Sequence, residues 1–187
     1  TVEEAIAGAS DIIAEMVSDN AKLRWSIKDQ IVESGSLQTK IKDDAVDEKK
    51  VYEMYYDRIE KITSLADHRI MAINRAEKEK VISVSFIYDL EDIQKQAIKV
   101  YCQENSNVKE IIENAVIDGL NRLLLPSIEN EIRSDLSQRA HTNSIEVFSM
   151  NLEKLLSQPP LIGRIVLGFD PGYFNGCKLA VLDETGK

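Results

Sequence analysis

A mainly α fold, a multi-helix body with a small β patch that ends in a β-hairpin, follows from three observations. Through residues 1–157 apolar side chains recur every three or four positions, with little glycine or proline to interrupt them. One six-residue stretch, VISVSF at 81–86, alternates apolar and hydroxyl side chains as a half-buried strand does. Punctuation gathers at the far end: Gly163, Gly168, Gly172, Gly176 and Gly186 stand there with Pro159, Pro160 and Pro171, around two short apolar runs.

The first helix opens at Thr1, with Glu4 three residues on, a capping box, and continues through Ile6, Ala9, Ile13 and Met16 or Val17. Ser18, Asp19 and Asn20 supply the next cap, and Leu23, Ile27, Gln30 and Ile31 carry a second helix to Gly35, which is expected to close it in the left-handed conformation. LQTKI at 37–41 alternates as a short strand, and pairing it with VISVSF gives a small sheet. A turn and a short helix then carry Val51, Tyr52, Tyr55 and Tyr56. Ser64 to Asp67 is a second capping pattern, opening a helix through His68, Ile70, Met71, Ile73 and Asn74 that the charged run 75–80 closes.

From Asp89 to Ser157 the pattern is helical throughout. Four stripes are read: Ile93, Ala97, Val100 and Tyr101; Val108, Ile111, Ile112, Ala115 and Val116; Ile128, Ile132 and Leu136; and Ile145, Phe148, Leu152, Leu155 and Leu156. Breaks are expected at Asn105 to Asn107, at Leu124 to Pro126, and near Ala140 to Asn143, which gives roughly eight helices in helical hairpins. Gln158-Pro159-Pro160 stops the last of them. Ile165 to Phe169 and Cys177 to Leu182 then form a hairpin with Asp170 at the end of its first strand. The division is a helical domain over 1–157 and a hairpin over 158–187.

The net charge is −9, and Arg164, Lys178 and Lys187 balance Asp170, Asp183 and Glu184 in the tail, so the acidic excess belongs to residues 1–157. An acidic body argues against a broad nucleic-acid platform there, because phosphate backbones are bound through Lys and Arg clusters. Cys102 and Cys177 have no Cys or His nearby at ligand spacing and read as reduced packing thiols of an intracellular protein. No apolar run approaches the ~20 residues that span a bilayer, and no signal peptide is seen, so a cytoplasmic location without membrane contact is expected. Thr1 at the start and the stop at Lys187 suggest an excised internal piece.

Four runs carry a family resemblance: DHRIMAINRAEKEKV (67–81), RLLLPSIENEIRSDL (122–136), NLEKLLSQPPL (151–161) and VLGFDPGYFNGCKLAVLDETGK (166–187). They resemble the central part of the Tex family of bacterial transcription accessory proteins, where helices lead into an RNase-H-like domain called YqgF. Two departures stand out: Asn74-Arg75-Ala76-Glu77 where the family reads Asn-Arg-Gly-Glu, and Phe174-Asn175 where it places Arg and Thr. The resemblance implies a cytoplasmic multidomain parent with helix-hairpin-helix motifs and a C-terminal OB-fold RNA-binding domain, similar to elongation factors that travel with RNA polymerase. In it, residues 158–187 would be the first hairpin of a truncated YqgF domain. Nucleic acid, RNA or DNA, and RNA polymerase are then the partners expected through the parent, with weak nucleic-acid binding by this piece alone.

Asp170 is the candidate catalytic residue. In RNase-H-like nucleases a first-strand aspartate helps hold two divalent metals that activate water, but further carboxylates must converge on them from later strands. For this chain a strand-end aspartate capping the Pro171-Gly172 turn is favoured, and no catalysis, metal or cofactor is expected of it. The FDPG turn also matches, weakly, the phosphate-binding turn of actin-like ATPases. Arg69, Arg75, Lys78 and Lys80 form the densest positive patch and are the candidate nucleic-acid contacts, against a solvated face interleaved by Glu77 and Glu79. His68 and His141 read as structural residues. Tyr52, Tyr55 and Tyr56 are weighed as base-stacking groups against packing, which their acidic surroundings favour.

Overall fold

A computed structural model describes residues 1–48, 50–102, 108–159, 161–172, 174 and 176–187. The break expected at Asn105 to Asn107 and the contributions of Pro160 and Asn175 lie outside the described residues. The chain divides into two compact units, Thr1–Ser144 and Ile145–Lys187.

The first unit opens with α1 (Val2–Asp19), capped as the sequence reads: the Thr1 hydroxyl accepts from the Glu4 amide and the Glu4 side chain returns to Thr1. Asn20 caps α2 (Ala21–Ser34), whose Leu23, Ile27 and Ile31 form a buried i, i+4 stripe. Gly35 ends α2 in an extended conformation (φ −76°, ψ 166°), not the left-handed one. Its glycine is required by close approach, since a Cβ there would lie 2.4 Å from the Ile31 carbonyl oxygen.

The sheet is antiparallel in the order β2-β1-β3, with β1 Ser36–Ile41, β2 Ile59–Lys61 and β3 Ile82–Ile87. β1 and β3 are the two alternating segments, paired from Ser36↔Ile87 to Ile41↔Ile82. β2 was not legible, because three residues are too few to show a period. Beyond Gln38, β1 meets the loop before β2: the buried Thr39 donates its hydroxyl to the Tyr55 carbonyl at 2.6 Å, and its amide donates to the Arg58 carbonyl at 2.8 Å. A short 3-10 turn, Glu53–Tyr55, stands where a short helix is expected.

α3 (Asp67–Lys78) starts without a side-chain cap, contrary to the reading of Ser64 to Asp67. The Ser64 hydroxyl donates to the Lys61 carbonyl instead, and the Asp67 carboxylate is drawn away by other partners. α3 ends in paired bonds from the Lys80 amide to the Glu77 carbonyl and from the Val81 amide to the Ala76 carbonyl. That closure places Lys80 in the left-handed conformation (φ 63°), where glycine is the ordinary residue.

α4 (Leu90–Tyr101) is capped by Asp89 and buries Ile93 and Ala97, whereas Val100 is exposed. α5 (Lys109–Gly119) buries Ala115 and Val116 but leaves Val108 and Ile111 exposed. It does not break at Leu124 to Pro126. A single wide turn with π-type bonding, Leu120–Leu124, joins it directly to α6 (Leu125–Leu156). Pro126 has no N–H to give, and its ring crowds the preceding carbonyls; a π turn loosens the ladder there and lets the chain stay helical. The break expected near Ala140 to Asn143 is also absent, so His141 lies within α6. Six α-helices result among the described residues, not eight.

Within the first unit α6 is the strut on which the others lean. Leu124, Ile128, Ile132, Leu136 and Ala140 recur at intervals of four and are buried in one core with Leu23, Ile27 and Ile31 of α2, Ile70 and Ile73 of α3, and Leu37 and Ile82 of the sheet. In the second unit the last predicted stripe, Ile145, Phe148, Leu152, Leu155 and Leu156, is exposed throughout. The hairpin pairs β4 (Val166–Asp170) with β5 (Lys178–Leu182) from Val166↔Leu182 to Asp170↔Lys178. Leu167, Phe169, Leu179 and Val181 share one of its faces and are each about two-thirds exposed or slightly less.

Candidate functional site

Polar side chains lace α6 to its neighbours and decide which charges are left over for a ligand. Towards α2, Lys28 donates to Glu131 and Asp135, both at 2.7 Å, and Arg24 donates to Ser127 at 2.9 Å and to Glu131 at 3.3 Å. Towards α3, Arg133 donates to Asn74 at 2.9 Å and pairs with Glu77, while Asn74 in turn donates to Ser137 at 2.8 Å. Arg139 donates to Asp67 at 3.0 Å and to the Leu65 carbonyl at 2.7 Å, and Asn143 donates to Asp67 at 2.7 Å.

Two of the carboxyls that accept these bonds, Asp67 and Glu131, are held ionised to lower pH than a free carboxyl. The Asn143 amide, then the Arg139 guanidinium, holds Asp67 below the usual carboxylate range. The Lys28 ammonium does the same for Glu131, helped by Arg24, and the Tyr56 hydroxyl does so for Asp47. A carboxyl whose folded-state value is depressed contributes stability above its unfolded value and loses it as pH falls through the folded one. The urea midpoint should therefore be flat near neutral pH and decline once pH drops below about 4, the unfolded carboxylate range. Asp67→Asn should shrink that decline; an equal decline in the variant would show that Asp67 is not among the responsible groups.

The four candidate cations separate on this background. Arg69 donates to Glu60 at 2.7 Å and braces α3 against β2. Arg75, Lys78 and Lys80 are exposed and make no ion pair among the described residues. The two glutamates between them are turned to other tasks: Glu77 faces Arg133, and Glu79 accepts from the Tyr52 hydroxyl at 2.9 Å. A run that alternates in sign along the sequence thus presents three cations outward, at the end of α3.

The tyrosines are packing groups. Tyr52 is buried, and Tyr55 and Tyr56 are half-buried against the same core. Tyr56 donates to Asp47 at 2.6 Å, a bond that pushes its hydroxyl up to about 12, and Tyr52 donates to Glu79, so packing on the core is what the surroundings of these rings favour.

Asp170 is exposed at the end of β4, in register with Lys178, and its carboxylate makes no hydrogen bond to the turn among the described residues. A different carboxylate, Asp183, caps the turn that follows β5. It accepts from the Thr185 hydroxyl at 2.7 Å and from the Thr185 and Lys187 amides, each at 2.9 Å. No group of three His, Cys, Asp or Glu able to hold a metal ion occurs among the described residues. No helix among them is long and apolar enough to cross a membrane.

Sequence reasoning did not find Arg133, the residue that joins two of the four resemblance runs: its guanidinium meets Asn74 and Glu77 of the first from within the second. Charge in the ENEIRSD stretch was visible, but no spacing rule links positions 133 and 77.

The family model described as Tex central region-like matches residues 1–148. Uncharacterized protein YdcI of Bacillus subtilis is 44% identical over 192 residues, covering 100% of this chain and 26% of the relative. Transcriptional accessory protein Tex of Neisseria gonorrhoeae is 29% identical, covering 98% of this chain and 25% of the relative. S1 RNA-binding domain-containing protein 1 of Homo sapiens is 29% identical, covering 100% and 20%. The chain spans about a quarter of the length of the curated relatives it matches. A family match over most of the chain, falling on the unit that α6 organises, establishes that this chain belongs to the Tex family and carries its central region.

Proposed function

We propose that the chain is the scaffold of a Tex-like transcription accessory protein, holding the nucleic-acid-binding parts of a cytoplasmic parent in fixed relation and contributing weak nucleic-acid contact of its own. The observation that carries this reading is the set of side-chain bonds from α6 to α2 and α3, which spends most of the charge near the core on internal bracing. The names of two relatives, a transcriptional accessory protein and an S1 RNA-binding domain protein, support the setting. Contact with RNA polymerase through the parent belongs to the same proposal, and no catalysis is assigned to this chain.

Arg75, Lys78 and Lys80 are the proposed contacts with RNA or DNA. Lys80 holds a left-handed conformation that disfavours a side chain by about 1 kcal/mol, which is consistent with a cation being useful at that point. Three cations in an otherwise acidic body predict weak, sequence-independent binding, on the order of 10⁻⁴ M at physiological salt. Fluorescence anisotropy with a labelled single-stranded RNA measures it, and neutralising Arg75, Lys78 and Lys80 to glutamine should abolish the salt dependence. Sub-micromolar, salt-sensitive binding by the chain would overturn the scaffold reading and make the body a binding module.

Residues 158–187 fit the opening hairpin of a YqgF, RNase-H-like domain. Its strands are apolar on both faces, as strands covered on both sides of a larger sheet are, and Asp170 is exposed at the strand end with no side-chain hydrogen bond among the described residues. A metal-dependent nuclease in the parent is the rival reading. A parent protein that cleaves nucleic acid in Mg²⁺ and stops when Asp170 becomes Asn would establish it.

A further inference from the structure

A cavity of about 560 Å³ is an open groove between α2 and α6 in the first unit; the bracing residues Lys28, Asp135 and Arg139 form part of its wall, and its apolar surface is used by neither the bracing nor the nucleic-acid contacts. Its apolar surface comes from Val32 of α2, Ile132 and Leu136 of α6, and Ile62 of the connection before α3. Trp25, the chain's single tryptophan, stands at its side and is 70% exposed. A large aromatic left in water beside an apolar groove of ligand size is the pattern of an anchor point for a partner.

Charge decides which partner. The two cations of the groove are neutralised inside the protein, Lys28 by Glu131 and Asp135 and Arg139 by Asp67. Asp29, exposed on the groove wall, has neither an ion pair nor a side-chain hydrogen bond among the described residues, and Asp135 keeps 58% of its side chain exposed. The charge left uncompensated is therefore negative. This disfavours an anionic nucleic acid stacking on Trp25, and it disfavours a second copy of a chain whose net charge is −9.

We propose that the groove docks a segment of a partner protein that offers an apolar anchor flanked by Lys or Arg. The anchor packs beside Trp25 over Val32 and Leu136, and the flanking cation meets Asp29 and Asp135. The inference is independent of the nucleic-acid contacts at the end of α3.

The test uses the whole chain and synthetic tryptophan-free peptides: one of leucine and lysine at helical spacing, its leucine and glutamate counterpart, and a lysine and serine peptide without anchors. Saturable change in Trp25 emission is expected with the first, and the other two should bind roughly tenfold or more weakly. Anisotropy of the labelled leucine and lysine peptide should show about the same loss for Trp25→Ala and a smaller one for Asp29→Lys, with unchanged circular dichroism in both, since these side chains are exposed. Binding that ignores Trp25→Ala, equal binding of the lysine and serine peptide, or no binding at all overturns the proposal. So does a concentration-dependent shift of Trp25 emission in the chain alone, which would assign the groove to a second copy.

Discussion

Replacing Gly119 by valine is expected to lower stability by about 3 kcal/mol and to loosen α1 from the rest of its unit. Gly119 ends α5 against α1, where a Cβ would lie 2.6 Å from the Cα of Ala14 and 2.7 Å from its carbonyl oxygen. Both are main-chain atoms held in a helix, and Ala14 itself is fully buried, so neither can turn aside as a side-chain tip would. Relief from the helix penalty of glycine, about 1 kcal/mol, recovers only part of the loss. For a unit of this size the thermal midpoint should fall by about 6–12 °C, and amide exchange should accelerate in α1 first. Gly8 is the control within α1: a Cβ there meets nothing within 4 Å, so Gly8→Ala should raise stability by up to about 1 kcal/mol. A Gly119→Val protein as stable as the parent would show that α1 does not pack through this contact.

Arg133→Ala should cost about 2 kcal/mol. The side chain is 21% exposed and supplies Asn74 and Glu77 at once, so truncation leaves an amide oxygen and a carboxylate without their donor in a half-dry site. The figure is below that of a fully buried pair because Glu77 retains 39% exposure and water recovers part of the loss. Arg133→Lys should restore little, since a single ammonium does not reproduce two bonds set by a planar fork. Urea denaturation of Arg133→Ala, Glu77→Gln and the double variant measures the coupling. Additive losses would show that the two side chains do not act together.

The same residue illustrates what the chain's text withheld. Asn74 and Glu77 were legible as members of a resemblance run, and Arg75, Lys78 and Lys80 as a patch diluted by glutamates. That dilution is only apparent, because Glu77 and Glu79 are held by Arg133 and by the buried Tyr52. Which charges face water depends on partners 27 and 56 positions distant, Glu79 from Tyr52 and Glu77 from Arg133, and local spacing carries no record of them. The Trp25 groove was invisible for the same reason, since its walls come from α2 and α6.

The sequence alone determined the mainly α class, both strands of the larger sheet pairing, the caps at Thr1 and Asn20, the tail hairpin, and the family. The caps and the strands rest on patterns shorter than about a dozen residues, the class on such patterns repeated along residues 1–157, and the family on four contiguous runs; local period, capping chemistry and residue identity are enough for each. Tertiary structure decided where helices do not end. Pro126 and the 140–143 stretch read as breaks, yet the π turn at Leu120–Leu124 and the core seated on Ile128, Ile132, Leu136 and Ala140 keep the chain helical through both. It also decided that Gly35 and Gly119 are glycine for lack of space and not for a left-handed turn. Local preference amounts to a few tenths to about 1 kcal/mol per residue, and burying one large aliphatic side chain contributes about 1.5–3 kcal/mol. Where the two disagree, as along α6, packing prevails.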